Sequence, residues 1–147
     1  MNTDIYIAAI EAFDVEWNPK YQRRDGQTFC NFFTQDVMKH PYINTPVPNG
    51  RCVDMYEALL DNKFPNWHGV SFSDAQKLAN KGVPTIAITA IPNHVAVVRP
   101  NNGNDITQIR DITVAQAGAT NSSNITINWC WRKDDLNNIK FYSFRHN

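Results

Sequence analysis

Apolar residues recur at three- and four-residue steps in the first half of the chain and at two-residue steps after Gly82, so helices are expected first and strands afterwards. Ile5, Ala8, Ala9 and Phe13 mark an amphipathic helix over residues 3–15, with Asn2 or Thr3 as its cap. The segment WNPKYQRRDGQ then reads as a loop broken by Pro19 and by the Asp25-Gly26 turn. In TFCNFFTQDVM, Thr28 is the expected N-cap, and Phe29, Phe32, Phe33 and Val37 define one buried helical face. That register puts Cys30 in the first turn. After the proline-rich loop PYINTPVPNG, two further helices are predicted over 52–61 and 73–81, the second capped by Ser71 or Ser73 and ended by Gly82.

Beyond Gly82 the segments VPTIAITAI, HVAVVRP, DITQIRDITVAQAG, ITINWCW and IKFYSF alternate like strands and are separated by Pro, Asn and Gly. Ile125, Ile127, Trp129 and Trp131 would share one face of a strand, with Thr126, Asn128 and Cys130 on the other. Helices followed by antiparallel strands predict an α+β domain with helices packed on one side of a meander. The 147 residues suit one domain over 1–147 with a proper core.

Charge narrows the partners. Fourteen basic and fourteen acidic residues cancel, and no basic run offers a surface for phosphates or anionic lipid, so nucleic acid is not an expected partner. No apolar run approaches the ~20 residues of a membrane helix. The N-terminal stretch MNTDIYIAAIEAFDVEW carries acids where a secretory signal has a basic region, so export by the general route is not expected. Three cysteines without a CxxC pair argue against a disulfide framework or a zinc site, and no metal or cofactor is expected; a lone Cys52–Cys130 bridge stays open. The four tryptophans suit a core better than sugar-stacking platforms, and His40, His68 and His146 read as surface residues. The sequons at Asn121 and Asn124 carry no functional weight in a polar turn.

A thiol reacts as its thiolate, and a helix N-terminus supplies partial positive charge and free backbone N–H groups that favour it. Cys30 has that position, and the same N–H groups suit the oxyanion of a tetrahedral intermediate. His94 opens the otherwise apolar strand HVAVV. A histidine there suits a core position or a positioned base, and the following segment VAQAG bears on the choice: Gln116 is its only polar side chain. Across an antiparallel ladder that carboxamide is placed to face His94 and fix the tautomer that leaves the other ring nitrogen for a thiol.

A cysteine opening a helix, a histidine starting HVAVV and a polar residue on the next strand resemble the papain-like NlpC and CHAP superfamily of cell-wall cysteine peptidases and amidases, over residues 17–118. TFCN in place of a DCSG-type sequence looks closer to CHAP-like and phage endolysin variants. The resemblance implies a papain-like fold with Cys30 as nucleophile, His94 as general base and Gln116 orienting the ring. It also implies substrate contacts from Tyr21, ahead of the nucleophile, and Asn31, beside it. The expected activity is hydrolysis of an amide bond in peptidoglycan by a monomer, acting on the wall or in the periplasm after release or dedicated export, with a cognate inhibitor if it is a toxin. A catalytically inactive domain that binds wall peptide, and a protein deamidase or acyltransferase, are the alternatives.

Overall fold

A computed structural model of the chain describes residues 2–146. Helix α1 (Thr3–Glu11) starts at Asn2, whose side chain accepts from the Asp4 N–H. It ends four residues before the predicted boundary and buries Tyr6, Ala9 and Ile10, leaving Ile5 and Ala8 exposed. The reason lies in the sheet: the fully buried Tyr6 hydroxyl donates to the Val98 carbonyl at 2.6 Å and accepts from the Thr85 N–H at 3.1 Å. Those bonds set the rotation of a helix whose own apolar stripe is weak, because a buried hydroxyl must be paired.

Helix α2 (Cys30–Lys39) begins one residue later than its expected cap predicts, with Phe29 at the N-cap and no side-chain capping bond. Thr28 therefore lies outside it. Phe33, Val37 and Met38 are fully buried, whereas Phe32 is turned outward and stacks on Phe29 at a centroid distance of 5.6 Å. Helix α3 (Cys52–Leu60) also opens on a cysteine; its first turn is closed by Asp54, which accepts from the Arg51 backbone N–H at 2.9 Å. Helix α4 (Phe72–Asn80) is capped by Ser71 and followed by Gly82 at φ 81°, a left-handed position that suits glycine after a helix end.

The strands are β1 (Trp67–Val70), β2 (Thr85–Thr89), β3 (His94–Val98), β4 (Thr113–Gln116), β5 (Ser122–Thr126) and β6 (Lys140–Phe144). They form one six-stranded antiparallel sheet in the order β1-β6-β2-β3-β4-β5. The fold is α+β, and β2 to β5 form the predicted meander; β6 returns to the free side of β2 and brings β1 with it. Strand β1 is too short to carry a readable alternation.

The segment ITINWCW departs from its predicted strand. The ladder stops at Thr126, the Ile127 N–H bonds the Ile112 carbonyl, and Ile127–Trp129 turns into a 3-10 helix. Trp129 is consequently 72% exposed and Trp131 3% exposed, so the two do not share a face. The sheet, α2, α3 and α4 close on a core of Phe33, Met38, Met55, Ile86, Ile88 and Val97. Each such side chain contributes roughly 1.5–3 kcal/mol by leaving water.

Candidate active site

The site forms where the N-terminus of α2 packs against the start of β3. Cys30 is the first residue of its helix and is 4% exposed. The first N–H groups of an α-helix have no acceptor within it, so the thiol sits at a locally positive helix end. His94 is the first residue of β3, directly across from Thr89 in β2.

In β3 the residues His94, Ala96 and Val98 point to one face, and Val114 of β4 lies opposite Val98. Gln116, two residues on, shares that face. Its Oε1 accepts from His94 Nε2 at 2.5 Å, while its Nε2 donates to the Thr120 carbonyl at 2.8 Å. The second bond fixes which end of the amide meets the ring. An Oε1 can only accept, so the His94 proton resides on Nε2 and Nδ1 is left for the thiol.

The Cys30 thiol is held far below the ordinary thiol range. Its strongest stabiliser is a hydrogen bond from the Cys52 thiol, which outweighs the burial that pushes the other way; the His94 ring and the Val95 backbone N–H add to it. The two sulfurs are 3.0 Å apart. Cys52 shows the reverse: its hydrogen bond to Cys30, burial and the adjacent negative charge all raise its pKa. One proton shared between two thiols thus makes Cys30 the thiolate and Cys52 the donor.

Trp131, Thr89, Gly118 and Asn121 shape the surroundings of the histidine. Trp131 lies against the His94 ring at 4.6 Å between centroids, tilted by 59°, and its indole N–H donates to Thr89 Oγ1 at 2.8 Å. The Thr89 hydroxyl in turn donates to the Pro92 carbonyl, in the cis Ile91–Pro92 turn that leads into His94. Gly118 lies so close beneath the pair that a Cβ there would come within 3.3 Å of both Gln116 Nε2 and His94 Cε1. Asn121 pins the turn, accepting from the Gly118 N–H and donating to the carbonyls of Val15 and Tyr21.

A cleft of about 360 Å³ opens over the thiols, lined among others by Thr28, Cys30, Phe32, Arg51, Cys52 and Asn93. A larger depression of about 610 Å³ around Val70, Phe72 and Ile139 is lined by no cysteine or histidine. Chemistry therefore places the site in the smaller one.

The structure brings Cys30, His94 and Gln116 together: the His94 ring interacts with the Cys30 thiol and hydrogen-bonds Gln116. Asn31 lines the same cleft, and its Nδ2 donates to the Gly50 carbonyl at 3.0 Å, tying α2 to the loop before α3. Tyr21 is placed otherwise than a substrate contact requires. It is 1% exposed, and its hydroxyl donates to Asp36 Oδ2 at 2.6 Å, which in turn pairs with Lys20. Packed edge-on against Phe33, it supports α2 from beneath. The Cys52–Cys130 bridge is absent: all three cysteines are free, and Cys52 faces Cys30. Burial raises the Cys130 thiol to about 12, which makes it inert. His40 and His68 are half-buried, His40 against Phe13 and Tyr42, so neither is a free surface residue.

Cys52, Trp131 and Gly118 escape sequence reasoning. Cys52 gives one usable signal, since it too opens a helix, but 22 residues separate it from Cys30 and spacing alone does not join them. Among the described residues, no three of His, Cys, Asp or Glu are grouped to hold a metal ion. Among known proteins, no family model matches the chain, and no curated protein matches it significantly.

Proposed function

We propose that this chain is a cysteine hydrolase that cleaves an amide bond through Cys30, His94 and Gln116, with a papain-like arrangement of the NlpC and CHAP type. The observation that carries this reading is a thiol at a helix N-terminus interacting with a histidine whose Nε2 is taken by a buried carboxamide, which leaves Nδ1 as the free ring nitrogen. The thiolate attacks the substrate carbonyl carbon and forms the C–S bond, and the oxygen takes up the negative charge at the N–H groups that open α2. His94, which takes the Cys30 proton at Nδ1 when the thiolate forms, gives it to the leaving nitrogen as the C–N bond breaks. The resulting thioester is then attacked by water, which His94 deprotonates, and collapse releases the acid and restores the thiolate.

Peptidoglycan is the proposed substrate class, supported by the resemblance of TFCN, HVAVV and VAQAG to wall-cleaving enzymes. The enzyme works as a monomer on the wall or in the periplasm, reached by release or dedicated export; a cognate inhibitor accompanies it if it serves as a toxin. No helix among the described residues is long and apolar enough to cross a membrane. The depressed Cys30 thiol favours an enzyme over an inert wall-peptide binder, which has no need of a thiolate. Deamidation or acyl transfer on a protein would use the same thioester with another substrate or acceptor. Incubation with purified sacculi, followed by mass spectrometry of released fragments, tests the proposal. New amine and carboxyl ends from wild type and none from Cys30→Ala are expected; intact sacculi with both would overturn the substrate assignment.

A further inference from the structure

Cys52 forms and breaks no bond to substrate in the hydrolytic steps above, yet its sulfur is in contact with the nucleophile. Both cysteines open helices, both are at most 5% exposed, and both line the cleft over Cys30. A cleft of about 360 Å³ admits a small peroxide. Closing the 3.0 Å contact to a disulfide of about 2.05 Å requires about 1 Å of movement at two side-chain ends.

We propose that Cys30 and Cys52 form a peroxide-responsive thiol pair, in which oxidation locks the nucleophile into a reversible Cys30–Cys52 disulfide and thereby switches the site off. The effect on hydrolysis rests on the reading of Cys30 as the nucleophile; the crosslink does not. In the first step the Cys30 thiolate attacks one oxygen of hydrogen peroxide, the O–O bond breaks, and the departing hydroxide takes the proton that Cys30 had lost on forming the thiolate and becomes water. Cys30 is then a sulfenic acid, two electrons more oxidised. In the second step the Cys52 sulfur attacks the Cys30 sulfur, the S–O bond breaks, and the hydroxyl leaves as water with the Cys52 proton. The sum is two thiols and one peroxide giving one disulfide and two waters.

The order of events follows from the neighbours. While Cys30 is charged, it holds the Cys52 proton in place, so Cys52 is quiet in the working enzyme. Conversion of Cys30 to a neutral sulfenic acid removes that charge and frees Cys52 to act as the resolving thiol. Cys130 lies outside the cleft lining and stays protonated. A nucleophile without a resolving partner proceeds instead to sulfinic acid, which ordinary thiol reductants do not reverse.

The test treats the full chain with a several-fold molar excess of hydrogen peroxide, enough for the two equivalents that a sulfinic acid requires, blocks remaining thiols with iodoacetamide and maps peptides without reductant. A Cys30–Cys52 crosslinked peptide is expected, with Cys130 still recovered as a reduced residue after unfolding. Sacculus hydrolysis should fall to below about a hundredth and return with dithiothreitol. Cys52→Ser keeps a hydrogen-bond donor beside Cys30 but cannot crosslink, and in that variant the loss should be permanent, with sulfinic acid at Cys30. Sulfinic acid at Cys30 in the wild type, or full recovery of Cys52→Ser with dithiothreitol, would overturn the proposal. A crosslink in a protein whose reduced form leaves sacculi intact would support the thiol pair and contradict the wall hydrolase.

Discussion

His94 and Gln116, 22 residues apart in sequence, are joined by a 2.5 Å hydrogen bond at the start of β3 and the end of β4. The bond serves both tautomer and orientation, since the amide is itself held by the Thr120 carbonyl.

Removing that amide should cost activity and stability together. Gln116 is buried, so Gln116→Ala leaves the His94 N–H and the Thr120 carbonyl without their partner. Each orphaned group costs about 1–3 kcal/mol, and a loss of 1 kcal/mol lowers Tm by about 2–4 °C in a chain of this size. Turnover should fall less than in His94→Ala, for which the loss is roughly 10²–10⁴-fold. Gln116→Asn and Gln116→His, which retain a polar group, should keep more activity than Gln116→Ala. Thermal melts and single-turnover rates on the four variants check the ranking.

Gly118→Ala tests how tightly the pair is packed. Its Cβ must displace Gln116 Nε2 or the His94 ring, both at 3.3 Å. The expected result is a fall in kcat of about tenfold or more with KM little changed, because a shift of the base by a fraction of an ångström misdirects proton transfer. A crystal structure of the variant should show the ring displaced away from residue 118.

Trp131 offers a separable effect. Trp131→Phe keeps an aromatic face on His94 but loses the indole N–H to Thr89, whereas Trp131→Ala opens the histidine to water. The phenylalanine variant should keep most of its activity. The alanine variant should lose about 3–5 kcal/mol of stability as well as turnover. Chemical denaturation alongside kinetics distinguishes the two.

The parts of this site that follow from local rules are legible in the sequence. Position at a helix start places Cys30, and two-residue alternation puts His94 and Gln116 on one face of neighbouring strands. What the pattern does not carry is contact between distant elements. Cys52 meets Cys30 because α2 and α3 bring their N-termini together, and Gly118 matters only once the His94–Gln116 pair is built above it. Trp131 is misread for a related reason: ITINWCW alternates like a strand, yet the Ile127 N–H finds the Ile112 carbonyl and the chain turns. Tyr21 is a substrate contact by resemblance, and its burial instead depends on Asp36 and Phe33 of α2. The face of α1 was set by Tyr6 reaching Val98 and Thr85, contacts far along the chain.

Cys52, His94 and the start of β3 hold Cys30 as a thiolate, and the reactivity of that sulfur against pH measures this most directly. A lowered thiol pKa means that the reactive form persists as pH falls below the ordinary value near 8.5 and disappears only when the folded-state pKa is crossed. Iodoacetamide alkylation of the reduced protein, resolved by peptide mass, should therefore modify Cys30 alone at about pH 6, at a rate nearly flat up to about pH 8. Cys52 and Cys130 should remain unmodified in that range. Alkylation of Cys30 that rises tenfold per pH unit up to about 8.5, at the pace of an ordinary thiol, would contradict the account.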